Sequence, residues 1–197
     1  MARRAQCYTS LTMALFTGKG DDGRTKTFGC DQRISKSSAI SEALGSLDEA
    51  TSFLGMCKTH PDASRPLLEG KTFADMIDWA QGNLFIVQAH VAGSADKTIA
   101  KEKISHMEAV VEAMEKDMPP IKTFFISGGT PLAAHLDVAR TLARRAERRV
   151  VAVSEEGKRN VDPTVLAFLN RLSSVLYALA RLSNHRSGIT EQSPDYR

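Results

Sequence analysis

The segment that most constrains this chain runs from Pro131 to Ser154, with ARTLARRAERRV (Ala139–Val150) at its centre. Five arginines and one glutamate stand there among alanines, leucines and valines, a mixture that favours a helix. At about 100° per residue, Arg140, Arg144, Glu147 and Arg148 share one face. Leu132, Leu136, Ala139, Leu142, Ala143, Ala146, Val150 and Val153 fill the neighbouring arc, and Arg145 and Arg149 lie off both. Three guanidiniums on one face repel one another unless an anion sits among them, and one glutamate neutralises only one. A polyphosphate would supply the rest. Two plainer readings stand beside it: a solvated face held by i,i+4 pairs, or a nucleic-acid contact. The helix alone does not choose.

The flanking sequence surrounds this segment with further helices. Ile40, Ala43, Leu44, Leu47, Ala50 and Leu54 recur at helical steps after Ser37 or Ser38 as cap, and His60-Pro61 ends that run. A polar connection follows, to about Gly70. Phe73, Met76, Ile77, Ala80, Leu84, Val87 and Val91 mark a second helix ending near Gly93. Ile104, Met107, Val111, Met114 and Met118 mark a third, whose methionines read as core filler and which Pro119-Pro120 stops. Residues 121–130, IKTFFISGGT, are the only strand-like run. Thr130 as N-cap and Pro131 at the first position then launch the arginine helix, which Gly157 closes. Asp162-Pro163 opens a fifth helix with Val165, Leu169, Leu172, Leu176 and Leu179 on its apolar side. Its other side carries Asn170, Ser173, Ser174, Tyr177, Arg181 and Asn184, a stripe poor in Lys and Glu that reads as a pocket wall or a subunit contact. The fold class is therefore all-α, a five-helix bundle. One domain over 15–187 is expected, between a disordered N-terminal tail, 1–14, and a C-terminal tail, 188–197.

Composition removes several functions. With 197 residues, 42% hydrophobic and 25% charged, the chain can bury one sizeable core. A net charge of +3 is too mild to argue for nucleic acid by itself, and 6% aromatic content disfavours a stacking surface for single strands. Three cysteines without CxxC spacing suit a reducing, cytoplasmic setting. None of the five histidines falls in an ExxH or HExxH pattern, so zinc hydrolysis and di-iron chemistry lack their ligands. No uninterrupted apolar run is long enough to span a bilayer. The first residues carry two arginines but no small-residue cleavage pattern, and Met13 is a second candidate start. Thr17–Thr27, TGKGDDGRTKT, has no apolar residue and reads as a loop, either a plain surface turn or a nest of amides for an anion. It is not a Walker A loop, because Gly23 is followed by Arg24 and Thr25.

Four blocks together carry a resemblance: TGKGDDGRT (Thr17–Thr25), EALGSLDEATSFLG (Glu42–Gly55), FFISGGTPLAAHLDVARTLARRAERRV (Phe124–Val150) and FLNRLSSVLYALAR (Phe168–Arg181). In this order they resemble the PduO-type ATP:cobalamin adenosyltransferases. The resemblance implies a homotrimer of five-helix bundles with active sites between subunits. It implies transfer of the 5′-deoxyadenosyl group of ATP to Co(I) of a reduced corrinoid, with Mg²⁺ present and triphosphate released. Thr17, Gly18, Lys19, Gly20, Asp21, Thr25, Lys26, Thr27 and Lys36 would hold ATP, with Arg144, Arg145, Glu147, Arg148 and Asn170 from the last two helices. Arg144, Arg148, Glu147 and Phe124 would form the catalytic set, Phe124 on the lower face of the corrin. Asp48 and Arg140 would pair across subunits, and Mg²⁺ would bind mainly through phosphates, with Glu147 as candidate protein ligand. A reductase and a cobalamin-dependent acceptor enzyme are the implied protein partners, with neither nucleic acid nor membrane. Asp22, next to Asp21, departs from the family loop. It keeps open an alternative, a non-catalytic ATP-binding helical bundle serving as sensor or cofactor carrier.

Overall fold

The computed structural model describes residues 15–27, 33–94 and 96–197, so the expected N-terminal tail, 1–14, lies outside them. Five helices appear: α1 (Ala39–Lys58), α2 (Phe73–Ala92), α3 (Lys101–Lys116), α4 (Pro131–Glu155) and α5 (Pro163–Arg186). Each start has a local cause. The Ser38 hydroxyl accepts from the Ser41 N–H, and Thr72 and Asp75 form a reciprocal capping box. Thr130 accepts from the Ala133 N–H and Asp162 from the Thr164 N–H, each with proline at the first helical position. Gly157, at φ +64°, donates to the Ser154 carbonyl just past the end of α4.

The arginine helix α4 packs between α1 and α5; α2 packs on α1 and reaches α5 through Trp79 on Phe168, and α3 packs on α5. Leu132, Leu136, Ala139, Ala143, Ala146, Val150 and Val153 are buried, the arc expected from the sequence except for Leu142, which is half-buried. Met107 and Met114 are fully buried, so the methionine stripe is core.

Several expectations need correction. Residues 121–130 form no strand. The helices around them offer no ladder, and among the described residues their one backbone bond to a segment distant in sequence is Ile126 N–H to the Gln192 carbonyl, 2.8 Å. Two three-residue strands form instead at the edge of the glycine loop. β1 (Arg24–Lys26) and β2 (Arg33–Ser35) pair antiparallel, Thr25 opposite Ile34, and Ile34 packs against the core. The connection before α2 is not merely polar: a 3-10 turn, Pro61–Ser64, buries Ala63, and Leu67 follows it inside. Helix α5 is long and apolar enough overall to cross a membrane, but 67% of that stretch is buried in the bundle, as a core helix requires. Residues 188–197 carry neither helix nor strand, yet Glu191 and Gln192 tie them to Arg181 and Ile126.

Candidate active site

The GGT turn sets α4 against α5. Gly128 and Gly129 adopt φ +134° and +99°, where side chains are strained. Asn184 of α5 reaches into the turn, donating to the Gly128 carbonyl at 2.9 Å and accepting from the Thr130 N–H at 2.9 Å. A Cβ on Gly129 would fall inside the van der Waals radius of the Asn184 amide, so this position has room only for glycine.

Below the turn, α4, α5 and residues 121–127 enclose a cavity of about 760 Å³. Phe124, Arg140, Arg144, Ser173, Ser174 and Tyr177 line it, so much of the polar stripe of α5 is a pocket wall. Phe124 is 79% exposed on its coil. Arg144 and Arg148 are exposed and have no ion-pair partner among the described residues. Arg140 differs: its Nε donates to Asp137 Oδ1 at 3.1 Å, and its guanidinium lies 5.7 Å from the Tyr177 ring centre. Burial pushes the Tyr177 phenol up, so it stays a neutral donor at pH 7. Sequence reading missed Asp137. It lies one turn before Arg140 on the same face, so extending the helical wheel backwards finds it.

Glu147 accepts from Asn170 Nδ2 at 3.0 Å, and Arg171 donates to the Asn170 oxygen at 2.7 Å while its Nε holds Glu108 at 2.8 Å. This chain orients both members named from the sequence. Arg145 and Arg149 turn towards α1 instead: Arg145 pairs with Glu49, and Arg149 approaches Glu42 at 3.9 Å.

The glycine loop is a second, separate group. Asp21 N–H donates to the Gly18 carbonyl and Gly23 N–H to the Gly20 carbonyl, both at 3.2 Å, making successive turns. The Thr17 hydroxyl accepts from the Lys19 N–H, and Thr25 and Thr27 lie on and just after β1, Thr27 buried. Lys36 donates its backbone N–H to the Gly23 carbonyl at 2.9 Å. Its ammonium lies over Gly20, where a Cβ would come within 3.0 Å. Asp22 is gripped by Arg33 at 2.7 and 2.9 Å and accepts from the Arg24 N–H at 3.1 Å. Desolvation, the largest single influence, would raise its pKa, but the Arg24 N–H and the Arg33 and Arg24 guanidiniums together outweigh it, and the carboxyl sits below its ordinary value. No described residue of 17–36 lines the cavity. Asp48 is exposed and makes no ion pair among the described residues.

The cobalamin adenosyltransferase profile matches residues 15–183. The chain belongs to that family. A corrinoid adenosyltransferase of Bacillus subtilis (strain 168) is 37% identical over 180 residues, covering 90% of each chain. The corrinoid adenosyltransferase PduO of Citrobacter freundii is 36% identical across 88% of this chain and 50% of its own length. Among solved structures, a phenylalanine-to-alanine variant of a PduO-type ATP:corrinoid adenosyltransferase from Lactobacillus reuteri, complexed with cobalamin and ATP, superposes with a TM-score of 0.82. The two are 28% identical over 92% of this chain and 99% of that one. Family membership thus extends over both residue groups, the glycine loop and the α4–α5 cavity.

Proposed function

We propose that the chain transfers the 5′-deoxyadenosyl group of ATP to Co(I) of a reduced corrinoid, yielding the adenosylated corrinoid and triphosphate. The observation that carries this reading is the pairing of unneutralised Arg144 with the exposed ring of Phe124 across one cavity of about 760 Å³. An aromatic wall suits the flat corrin, and a cation beside it suits a departing polyphosphate. In the reaction the Co(I) electron pair forms the Co–C5′ bond, the C5′–O bond breaks, and its electrons leave with triphosphate. Arg144 and Arg148 stabilise the charge that grows on that leaving group. Fixed donors aimed at developing charge are worth a few kcal/mol each. Asn170 and Glu147, already hydrogen-bonded, orient the nucleotide between α5 and α4.

The loop with Lys36 holds the other end of ATP, and the site is completed between copies of the chain in a trimer. Two observations support this: no described loop residue lines the cavity, and Asp48 lacks an ion-pair partner among the described residues of its own chain. Asp48 would then reach Arg140 of a neighbouring copy. Among the described residues, no group of three or more His, Cys, Asp or Glu forms a metal cage. That fits Mg²⁺, which keeps most of its water and binds through phosphates plus one or two carboxylates. The Glu147 oxygen not engaged by Asn170 would hold it, and the ion would neutralise phosphate charge. The enzyme is assigned to the cytoplasm, with a reductase supplying Co(I) and a cobalamin-dependent enzyme receiving the product.

The non-catalytic alternative loses its basis, because the Asp22 charge is taken up by Arg33 and does not face the phosphates unpaired. The nucleic-acid reading loses Arg145 and Arg149 to Glu49 and Glu42. The test is anaerobic: chemically reduced cobalamin, MgATP and protein, with cobalt alkylation followed by absorbance and triphosphate assayed alongside. Equal amounts of adenosylcobalamin and triphosphate are expected; ATP binding with neither product would refute the reading.

A further inference from the structure

Phe124 sits on residues 119–129, which have no helix or strand and leave its ring 79% exposed. A side chain on such a coil loses much freedom when it packs on a ligand, unless something already holds it. The structure supplies that hold from the far end of the chain. Arg181 of α5 is only 5% exposed, and it is the hub. Its Nε donates to Glu191 Oε2 at 2.9 Å, its Nη2 donates to the Pro119 carbonyl at 3.1 Å, and its guanidinium lies 5.2 Å from the centre of the Phe125 ring. One residue on from Glu191, the Gln192 carbonyl accepts from the Ile126 N–H at 2.8 Å. The two residues after Phe124 are thus fixed, one by stacking on Arg181 and the other by the C-terminal segment.

We infer that Glu191 and the backbone of Gln192 form a clamp that positions Phe124 for the corrinoid. This rests on the adenosyltransferase reading above. Glu191 acts through Arg181: with the carboxylate gone, a buried guanidinium is left uncompensated. It then turns to other acceptors or to water, and Phe125 moves with it. The clamp's bonds reach neither the glycine loop nor Arg144, Glu147, Arg148 or Asn170, so KM for ATP is expected to hold.

The experiment uses full-length wild type, Glu191→Gln, and a variant ending at Gly188. Amide hydrogen exchange on ligand-free protein reads the clamp; kinetics with MgATP and reduced cobalamin, and electron paramagnetic resonance of bound Co(II)alamin, read its consequence. Both variants are expected to exchange faster over 121–127 with α4 and α5 unchanged. In Glu191→Gln, kcat/KM for the corrinoid should fall about 10- to 100-fold. The fraction of Co(II) that has lost its lower axial base should fall with it, while KM for ATP stays at the wild-type value. Unchanged exchange over 121–127 in both variants would overturn the clamp. So would a loss of ATP and corrinoid kinetics in step, the mark of a general loss of stability. If wild type makes no adenosylcobalamin, the functional reading fails, while the exchange data still decide whether the clamp exists.

Discussion

Arg33 holds the carboxylate of Asp22 at two points, Nη2 to Oδ1 at 2.7 Å and Nη1 to Oδ2 at 2.9 Å. Its Nη2 also reaches the carbonyls of Lys19 and Arg24, so one guanidinium joins the glycine loop to β2. Fork-to-fork pairs of this kind fix geometry as well as charge. The aspartate that looks out of place in the glycine loop is therefore a brace.

Asp22→Asn should raise KM for ATP several-fold with kcat nearly unchanged, since the brace shapes the loop rather than the transition state. The pH dependence has a definite sign. The folded-state pKa lies below the ordinary 3.8, so the brace is fully present above that value and is lost as pH falls through the lower folded one. The ratio of wild-type to mutant ATP affinity should accordingly stay constant between about pH 5 and 8. Calorimetric titration checks both points, and an unaltered affinity in Asp22→Asn would remove the brace from the account.

Gly128 and Gly129 separate two causes of strain. A side chain at Gly128 meets no atom within 4 Å, so Gly128→Ala carries only the cost of φ +134°, about 1–3 kcal/mol. Gly129→Ala adds a collision with Asn184 and should lower Tm clearly further. Thermal unfolding of the two variants decides; equal losses would mean that Asn184 yields freely.

Asp162 caps α5, accepting from the Thr164 N–H at 2.8 Å and from its hydroxyl at 2.8 Å. These bonds, the backbone one first, hold its carboxyl below the ordinary 3.8. Asp162→Ala should cost about 1 kcal/mol. That difference persists at all pH values above 3.8 and shrinks as acid protonates the folded-state group. Urea melts at neutral and acidic pH measure it; a difference that grows in acid would contradict the assignment.

The five helices and most of their caps were legible because apolar residues recur at helical spacing and Thr130-Pro131 and Asp162-Pro163 announce two starts. The pocket wall was legible too, since Ser173, Ser174 and Tyr177 replace the Lys and Glu of a solvated face. What stayed hidden depends on distant partners. Phe124 and Phe125 look like strand residues, but a strand needs a ladder, and the nearest long elements are helices. RTK and RIS are too short to announce strands, yet they pair antiparallel, with Arg33 donating to the Arg24 carbonyl. The helical wheel already sets Arg145 off the face of Arg144, but only the position of Glu49 on α1 shows that Arg145 is neutralised and Arg144 is not.

That separation is itself testable. Arg144 faces the cavity with no carboxylate to neutralise it, so Arg144→Ala should lower kcat by roughly 10²–10³-fold with Tm unchanged. Arg145 is engaged by Glu49 in an exposed pair, worth about 0.2–1 kcal/mol. Arg145→Ala should therefore cost little stability and far less turnover. Near-normal kcat in Arg144→Ala would show that the triphosphate lies elsewhere.

Phe124 gives the sharpest division between the two substrates. Its ring is 79% exposed and contributes nothing to the core, so Phe124→Ala should fold and melt as the wild type does. It sits across the cavity from the arginines, not in the glycine loop, so ATP affinity should also hold. On the function proposed above, the substitution removes the apolar surface that would occupy the lower face of the corrin and keep the axial base away from cobalt. Losing that ligand makes reduction to Co(I) easier, so its return should slow adenosylation most when the corrinoid is supplied as Co(II) with a mild reductant. With fully reduced Co(I) the loss should be smaller. Parallel assays from the two oxidation states measure that gap; equal losses from both would assign Phe124 to corrin binding alone.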